Sequence, residues 1–352
     1  MLCLLDLDAF FCACEEARRP ELRGTAFCVG GSPDGRGVVA TASYAARRYG
    51  VGSAVPSAQA RRMCPELLFL PPDIAHYRAV SRAIWTAVRD ASPAVEQTGI
   101  DEGYLAVPAG EDPAAFAARL QAVVHATAGV TCSVGVARVK VAAKIAADMH
   151  KPARVTVVPA GEEAAFLAPL PVGRLPGVGP KTAARLGAGG VATIGALAAL
   201  DDAALARLVP GAHGPLLRHR ARGVDPRPIV TEPAEPVQIS RESTYDRDIR
   251  RFSDLYRELE ALAAQVAGRL AERGRAGATV VVKLRYSRDF RTVTRSRTLP
   301  AATQDAGEIA RVARDLAREA LRARPGHLRL VGVGVSGLAA QWQLALDGAA
   351  PA

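Results

Sequence analysis

Leu2-Cys3-Leu4-Leu5-Asp6-Leu7-Asp8-Ala9-Phe10-Phe11 opens the chain, and its reading decides the fold. Leu2 to Leu7 is short and almost wholly apolar, the pattern of a strand buried on both faces. Asp6 and Asp8 stand at its end, and two aromatic rings follow at once. Carboxylates are costly to bury unless they are paired or hold cations.

A second pair of acids extends the pattern. Val95 to Val107 reads as a hairpin, with Gly99 and Gly103 flanking Asp101-Glu102. Hard oxygen donors grouped in this way suit Mg2+ or Mn2+, which take a few carboxylates and keep open positions for phosphate oxygens. Two such ions activate an attacking hydroxyl and stabilise a leaving oxygen in phosphoryl transfer. Taken singly, each acid reads as well as a helix cap or a solvated strand end; the set carries the reading. Around the acids, strand and helix alternate. A β-rich Val38 to Thr41 precedes a helical Ser43 to Arg48. Asp112 to Ala128 is an amphipathic helix, Val130 to Ala137 a strand, Lys140 to Met149 a helix and Arg154 to Val158 a strand.

The bulk composition agrees with a nucleic-acid partner. At 352 residues the chain is long enough for two or more domains, and 49% hydrophobic residues support real cores. The formal net charge of +10 favours a polyanion. Arginine dominates, and lysine occurs only at Lys140, Lys144, Lys151, Lys181 and Lys283, where a compact point charge has its own use. Six cysteines show no CxxC pair and no zinc spacing, so they read as small buried residues in a reducing compartment. Neither a signal peptide nor a membrane-spanning run is present, and the expectation is a soluble, cytoplasmic protein.

From Pro169 the texture becomes helical. Pro176-Gly177-Val178-Gly179 followed by Lys181 is a helix-hairpin-helix signature, in which glycines let backbone N–H groups and a helix N-terminus approach a phosphate. Asp225 to Val237 carries prolines and acids without apolar periodicity and reads as a linker. A final α+β unit follows, with helices near Phe252 to Arg273 and Thr303 to Arg324. Its strands are Ala278 to Tyr286, Arg291 to Leu299 and Leu328 to Ser336. In the first of these strands, Val280, Val282, Leu284 and Tyr286 alternate with Lys283 and Arg285; in the next, Arg291, Arg295 and Arg297 share a parity. Period-two alternation predicts one cationic sheet face for duplex phosphates.

Four stretches, in order, resemble the Y family of translesion DNA polymerases. They are Leu5-Asp6-Leu7-Asp8-Ala9-Phe10-Phe11 with Glu15-Glu16, then Val39 to Val51 around Thr41, Tyr44 and Arg47, then Ile100-Asp101-Glu102-Gly103-Tyr104-Leu105, and Lys144 to Pro152. The likeness runs from residue 1 to about 346. It implies an α+β multidomain right hand: a ferredoxin-like palm (1–10 and 72–165), small fingers (11–71), a helical thumb with the helix-hairpin-helix (166–228), a linker (229–237), an α+β little finger (238–346) and a tail (347–352). It also implies two Mg2+ ions, with Mn2+ able to substitute, on Asp6, Asp101, Glu102 and the Leu7 carbonyl.

The same resemblance assigns Phe10, Phe11, Thr41, Tyr44, Arg47 and Lys151 to the deoxynucleotide, with Phe11 excluding a 2′-hydroxyl. Tyr44 and Arg47 are three apart on one helical face, where a hydroxyl and a guanidinium reach the same anion. Glu15 and Lys144 fall near the site. Gly177, Gly179, Lys181, Arg241, Lys283, Arg285, Arg291, Arg295 and Arg297 are the expected DNA contacts. The implied activity is error-prone, template-directed synthesis without proofreading, by a monomer that binds primer-template DNA and dNTPs. Gln343 to Leu346 partly resembles a sliding-clamp peptide, although Asp347 departs from that pattern. Gly99 and Ala106 depart from the family where serine and aspartate are usual, and neither removes a metal ligand. The rival readings are a catalytically inactive DNA-binding adaptor and a nucleotide cyclase. The first should lack the acids; the second leaves the basic last unit unused.

Overall fold

The structure is a computed structural model that describes residues 1–232 and 234–340. It divides into two compact units, Met1–Pro233 and Ala234–Ala352.

The first unit is built on the opening strand. β1 (Leu2–Leu7) is followed by α1 (Phe10–Arg18), β2 (Phe27–Gly30), β3 (Val39–Ala42), α2 (Tyr44–Arg47), α3 (Ser57–Met63), β4 (Leu68–Leu70), α4 (Ile74–Ala91), β5 (Val95–Gln97), β6 (Glu102–Ala106), α5 (Pro113–Ala128), β7 (Cys132–Ala137), α6 (Lys140–Met149) and β8 (Val155–Val157). Five strands form one sheet in the order β5-β6-β1-β7-β8, so β1 is central. Cys3, Leu5 and Leu7 pack with Ile84, Trp85 and Val88 of α4 and Phe116 and Leu120 of α5. Leu4 meets the alanines of α6 on the other side. The double burial read from this run is what the sheet uses.

Two glycines decide how closely the layers approach. A Cβ on Gly135 of β7 would lie 2.1 Å from the Ala143 carbonyl oxygen and 2.2 Å from the Ala147 nitrogen. Glycine there, opposite Ala142, Ala143, Ala146 and Ala147, lets α6 lie flat on the sheet. A Cβ on Gly103 of β6 would lie 2.6 Å from the buried Trp85 ring. The hairpin that carries Asp101 and Glu102 thus rests on α4.

A smaller sheet, β3-β2-β4, packs with α2 and α3 around Cys28, Val39, Ala46 and Ala60. α7 (Glu163–Leu167), α8 (Pro180–Ala188), α9 (Ile194–Ala199), α10 (Asp202–Leu208) and α11 (His213–Ala221) then gather around Leu167, Leu186, Ile194 and Leu217. The stretch from Asp225 does not begin as a free linker. Asp225 is buried and accepts from the Val141 N–H at 3.1 Å, and the Val230 N–H donates to Glu96 at 2.7 Å. All six cysteines are buried and unpaired. Among the described residues no helix is long and apolar enough to cross a membrane.

The second unit contains β9 (Gln238–Ile249), α12 (Phe252–Glu272), β10 (Arg275–Tyr286), β11 (Thr292–Thr303), α13 (Ala306–Ala323) and β12 (Leu328–Ala340). β9, a strand that the sequence reading did not set out, is an edge of the antiparallel sheet β11-β10-β12-β9. Leu255, Leu259, Leu262, Val266 and Leu270 form one stripe along α12, and it packs with α13 against Val280, Val282, Leu284 and Tyr286.

The register corrects the expected cationic face. Directly paired residues of adjacent strands point to the same side of a sheet. Val280 pairs with Arg297, Val282 with Arg295, and Val333 with Arg241, so these arginines lie on the helix side. Arg297 pairs there with Glu319 and Asp315 of α13. Only Lys283 and Arg285, opposite Thr294 and Thr292, keep the open face, and Lys283 is bridged to Glu242 at 2.8 Å. Arg291 lies exposed in the hairpin before β11. The parity within each strand was legible; the phase between strands was not. Gln343 to Leu346 lies outside the described residues.

Candidate active site

The site is assembled by sheet register. In β1 and β6, Asp6 lies opposite Glu102; on its other side it lies opposite Ser133 of β7. The Leu7 N–H donates to the Asp101 carbonyl at 2.8 Å, and Ser81 and Trp85 of α4 donate to the Ile100 carbonyl. Those bonds hold the hairpin tip against the end of β1. The result is a cleft of about 290 Å3, where Asp6, Leu7, Asp101 and Glu102 face Phe10, Thr41, Arg47 and Lys151.

Lysines supply positive charge inside this cleft. Lys144, one turn into α6, donates to Asp6 at 3.1 Å and to Glu102 at 2.5 Å; Lys151 lies 2.6 Å from Asp6. Burial works against the Lys144 charge, but Asp6, Glu102 and Asp148 outweigh it and raise its pKa. Asp148 lies 2.7 Å from Lys151 and 3.6 Å from Lys144, holding both ammonium groups from the far side. The sequence reading missed it, although two lysines at its −4 and +3 positions were a usable signal. Ser53, which also lines the cleft, was missed without any such signal.

Asp101 is the acid with the least compensation. Burial pushes its carboxyl up, the Asp6 charge pushes it further, and Glu102 adds to both. Among the described residues no three carboxylate, imidazole or thiolate side chains are gathered closely enough to hold a cation as they stand. Lys144 lies between Asp6 and Glu102 and spaces them. The donor set nevertheless fits a hard divalent cation: three acids, one of them under-compensated, line one cleft beside a strand-end carbonyl.

Asp8 has a different task. It is buried, and it accepts from Ser133 at 2.7 Å, Thr131 at 2.9 Å, the Ala153 N–H at 2.8 Å and Tyr44 at 3.4 Å. β1 stops at Leu7 and Ala9 takes a left-handed φ of 44°, so Asp8 does not continue the strand. Its oxygens bind the end of β7 and the segment after Lys151 together, and none is left for a metal.

The expected nucleotide contacts divide. Thr41, Arg47, Lys151 and Phe10 line the cleft, with Phe10 otherwise a core residue. Arg47 stacks over the Tyr44 ring at 4.8 Å and donates to the Ala42 carbonyl, so the pair does share one helical face. Tyr44 and Phe11 are not among the lining residues. Tyr44 spends its hydroxyl on Asp8, and Phe11 stacks on Tyr77 at 4.4 Å with planes 16° apart. Glu15, fully buried, accepts from that tyrosine at 2.7 Å and from Arg18 and Arg19. It supports the aromatic pair from beneath and does not reach the cleft.

At the helix-hairpin-helix, Gly177 has φ 101°, a conformation only glycine takes readily. Its carbonyl contacts His213 Nε2 at 3.1 Å, and the Pro176 carbonyl accepts from Arg220. Gly179 caps α8, a Cβ there would meet nothing within 4 Å, and Lys181 is exposed in the first turn.

A central strand and a hairpin that bring three acids to a cleft shared with a hydroxyl, a guanidinium and an ammonium have the make-up of a nucleotidyl-transfer palm. The chain belongs to the impB/mucB/samB family, the Y-family DNA polymerases. Residues 5–148 match that family, residues 236–346 its C-terminal domain and residues 160–191 its helix-hairpin-helix motif. Its similar relatives are DNA polymerases IV. One from Dehalococcoides mccartyi is 40% identical over 94% of this chain and 85% of its own length. Those of Methanoculleus marisnigri and Streptomyces coelicolor are 43% and 41% identical, over 94% and 95% of this chain and 92% and 70% of theirs. Among solved structures, a Y-family DNA polymerase chimera built on Dbh superposes with a TM-score of 0.85 at 24% identity, over 95% of this chain and 98% of that one. An insertion ternary complex of Dbh DNA polymerase matches with a TM-score of 0.64 at 25% identity, over 96% and 98%.

Proposed function

We propose that the chain adds deoxynucleotides to a primer 3′-hydroxyl on a template strand, tolerates damaged template bases, and does so without proofreading. One observation carries this reading: Asp6, Asp101 and Glu102 share a single cleft with Thr41, Arg47 and Lys151. Acids fit to hold cations thus face groups fit to hold a triphosphate. Asp6, Asp101 and Glu102, with the Leu7 carbonyl, are the groups that would hold Mg2+, or Mn2+ in its place. Two such cations polarise the attacking hydroxyl and the leaving oxygen when bound.

The protein's own contribution is placement and charge. Arg47 offers a guanidinium that binds two phosphate oxygens at once, and Thr41 and Lys151 add a hydroxyl and an ammonium. Phe11, half-buried and stacked on Tyr77, is the ring that would clash with a 2′-hydroxyl. Gly177, Gly179 and Lys181 bind duplex phosphates from the helical region, and Lys283, Arg285 and Arg291 do so from the last unit. The palm, finger, thumb and little-finger boundaries drawn from the sequence are part of this proposal. So are a monomeric state, a cytoplasmic location and clamp binding through Gln343 to Leu346.

Primer extension with Mg2+ and single deoxynucleotides tests the reading, comparing wild type, Asp101→Ala/Glu102→Ala and Phe11→Ala. The wild type adds the templated nucleotide, the double variant binds DNA but adds nothing, and Phe11→Ala gains ribonucleotide use. Clean wild-type protein that binds DNA yet adds nothing, even with Mn2+, would leave the inactive adaptor as the better account.

A further inference from the structure

Helix α6 carries Lys144 and Asp148 to the acids of the cleft, yet it does not cap itself. The first N–H groups of a helix need acceptors from outside its own ladder. Val139 stands at the N-cap, and no side-chain hydrogen bond is made there. The missing acceptor comes from 84 residues downstream: Asp225 accepts from the Val141 N–H at 3.1 Å. Its side chain is only 2% exposed, and Arg227 grips both oxygens at 2.7 and 2.6 Å, fixing the carboxylate's orientation. A carboxylate at this end also meets the positive pole of the helix.

A second anchor lies one step further along the same segment. The Val230 N–H donates to Glu96, which also pairs with the buried Lys140 at the first position of α6. Lys140 in turn lies 5.0 Å over the Tyr104 ring of β6, two residues from Glu102. Segment 225–230 therefore bonds to the start of the helix that bears Lys144 and to the hairpin that bears Glu102. Neither anchor belongs to the cleft itself.

We propose that Asp225 is a positioning residue of the nucleotidyl-transfer site. By capping α6 from a distant segment, it sets where Lys144 and Asp148 stand against Asp6. The inference rests on the polymerase reading for its consequence, but not for the cap.

The test uses the full chain as Asp225→Ala and Asp225→Asn. Single-turnover primer extension reads rate and active fraction separately, and amide exchange across residues 141–149, without DNA or nucleotide, reads the cap. Asp225→Ala should lower the rate constant about tenfold with DNA affinity within about twofold, because Lys144 and Asp148 are misplaced while no group that touches DNA changes. Its α6 amides should exchange faster. Asp225→Asn keeps an acceptor and should recover most of both. A smaller active fraction with an unchanged rate constant would show a merely structural residue and overturn the proposal. Unchanged exchange in α6, or an Asn variant no better than Ala, would overturn it as well. A wild type without extension refutes the polymerase reading instead, and the exchange measurement still decides the cap.

Discussion

Gly135→Ala should cripple the enzyme without touching a substrate-facing residue. The added Cβ would sit 2.1 Å from the Ala143 oxygen and 2.2 Å from the Ala147 nitrogen, where ordinary contact begins near 3.4 Å. Both neighbours are backbone atoms, so no side-chain rotation relieves the overlap. The helix must withdraw by roughly 1 Å or more, opening its alanine contacts with Leu4 and Val158. Overpacking of this kind costs about 1–3 kcal/mol, and a clash with backbone on two sides belongs near the upper end. For a unit of this size that is a fall of about 6–12 °C in its unfolding midpoint. The same movement carries Lys144 and Asp148 away from Asp6, and a displacement of that size costs about 10²-fold in rate. Calorimetry and single-turnover primer extension measure the two effects. Gly268→Ala is the control, because Gly268 lies inside α12 and its Cβ would meet nothing within 4 Å. It should gain about 0.5–1 kcal/mol. A Gly135→Ala enzyme with wild-type midpoint and a rate within twofold of wild type would refute the packing argument.

Glu15→Gln should cost more stability at pH 7 than at pH 4. Burial raises the Glu15 carboxyl, but Tyr77, Arg19 and Arg18 outweigh it, and its pKa lies below the ordinary 4.5. The stability it contributes is therefore present above about pH 4.5 and lost as pH falls through the lowered folded value. Because Arg18 and Arg19 are each 38% exposed and regain water, we expect a loss of about 2 kcal/mol at pH 7, below that of a sealed pair. Urea unfolding at both pH values measures it, and equal losses would contradict the charge argument. For DNA, Arg285→Ala should lower the salt-dependence slope of binding by about 0.9, the worth of one phosphate contact. Arg297→Ala, on the helix side with Glu319, should leave it unchanged; equal effects would show the register assignment to be wrong.

Much of the site was legible because its chemistry is local. Asp6 ends a buried run, Asp101-Glu102 sits between hairpin glycines, and Arg47 follows Tyr44 by one helical turn. What escaped reading was pairwise and distant. Asp8 looks like Asp6 in the sequence, but its four donors come from Tyr44, Thr131, Ser133 and Ala153. Asp225 looks like a linker acid because its partner is 84 residues away.

The sequence by itself determined the buried opening strand, the acids Asp6, Asp101 and Glu102, and the apolar faces of the elements read from it. Those properties follow from periods of 2 and 3.6 residues and from what each side chain tolerates in burial. Only the tertiary structure decided which arginines share a face with Lys283, which acid caps α6 and which donors occupy the Asp8 carboxylate. Periodicity sets the faces of one element relative to each other; the phase between elements is set by register and packing, and one residue of slip reverses it.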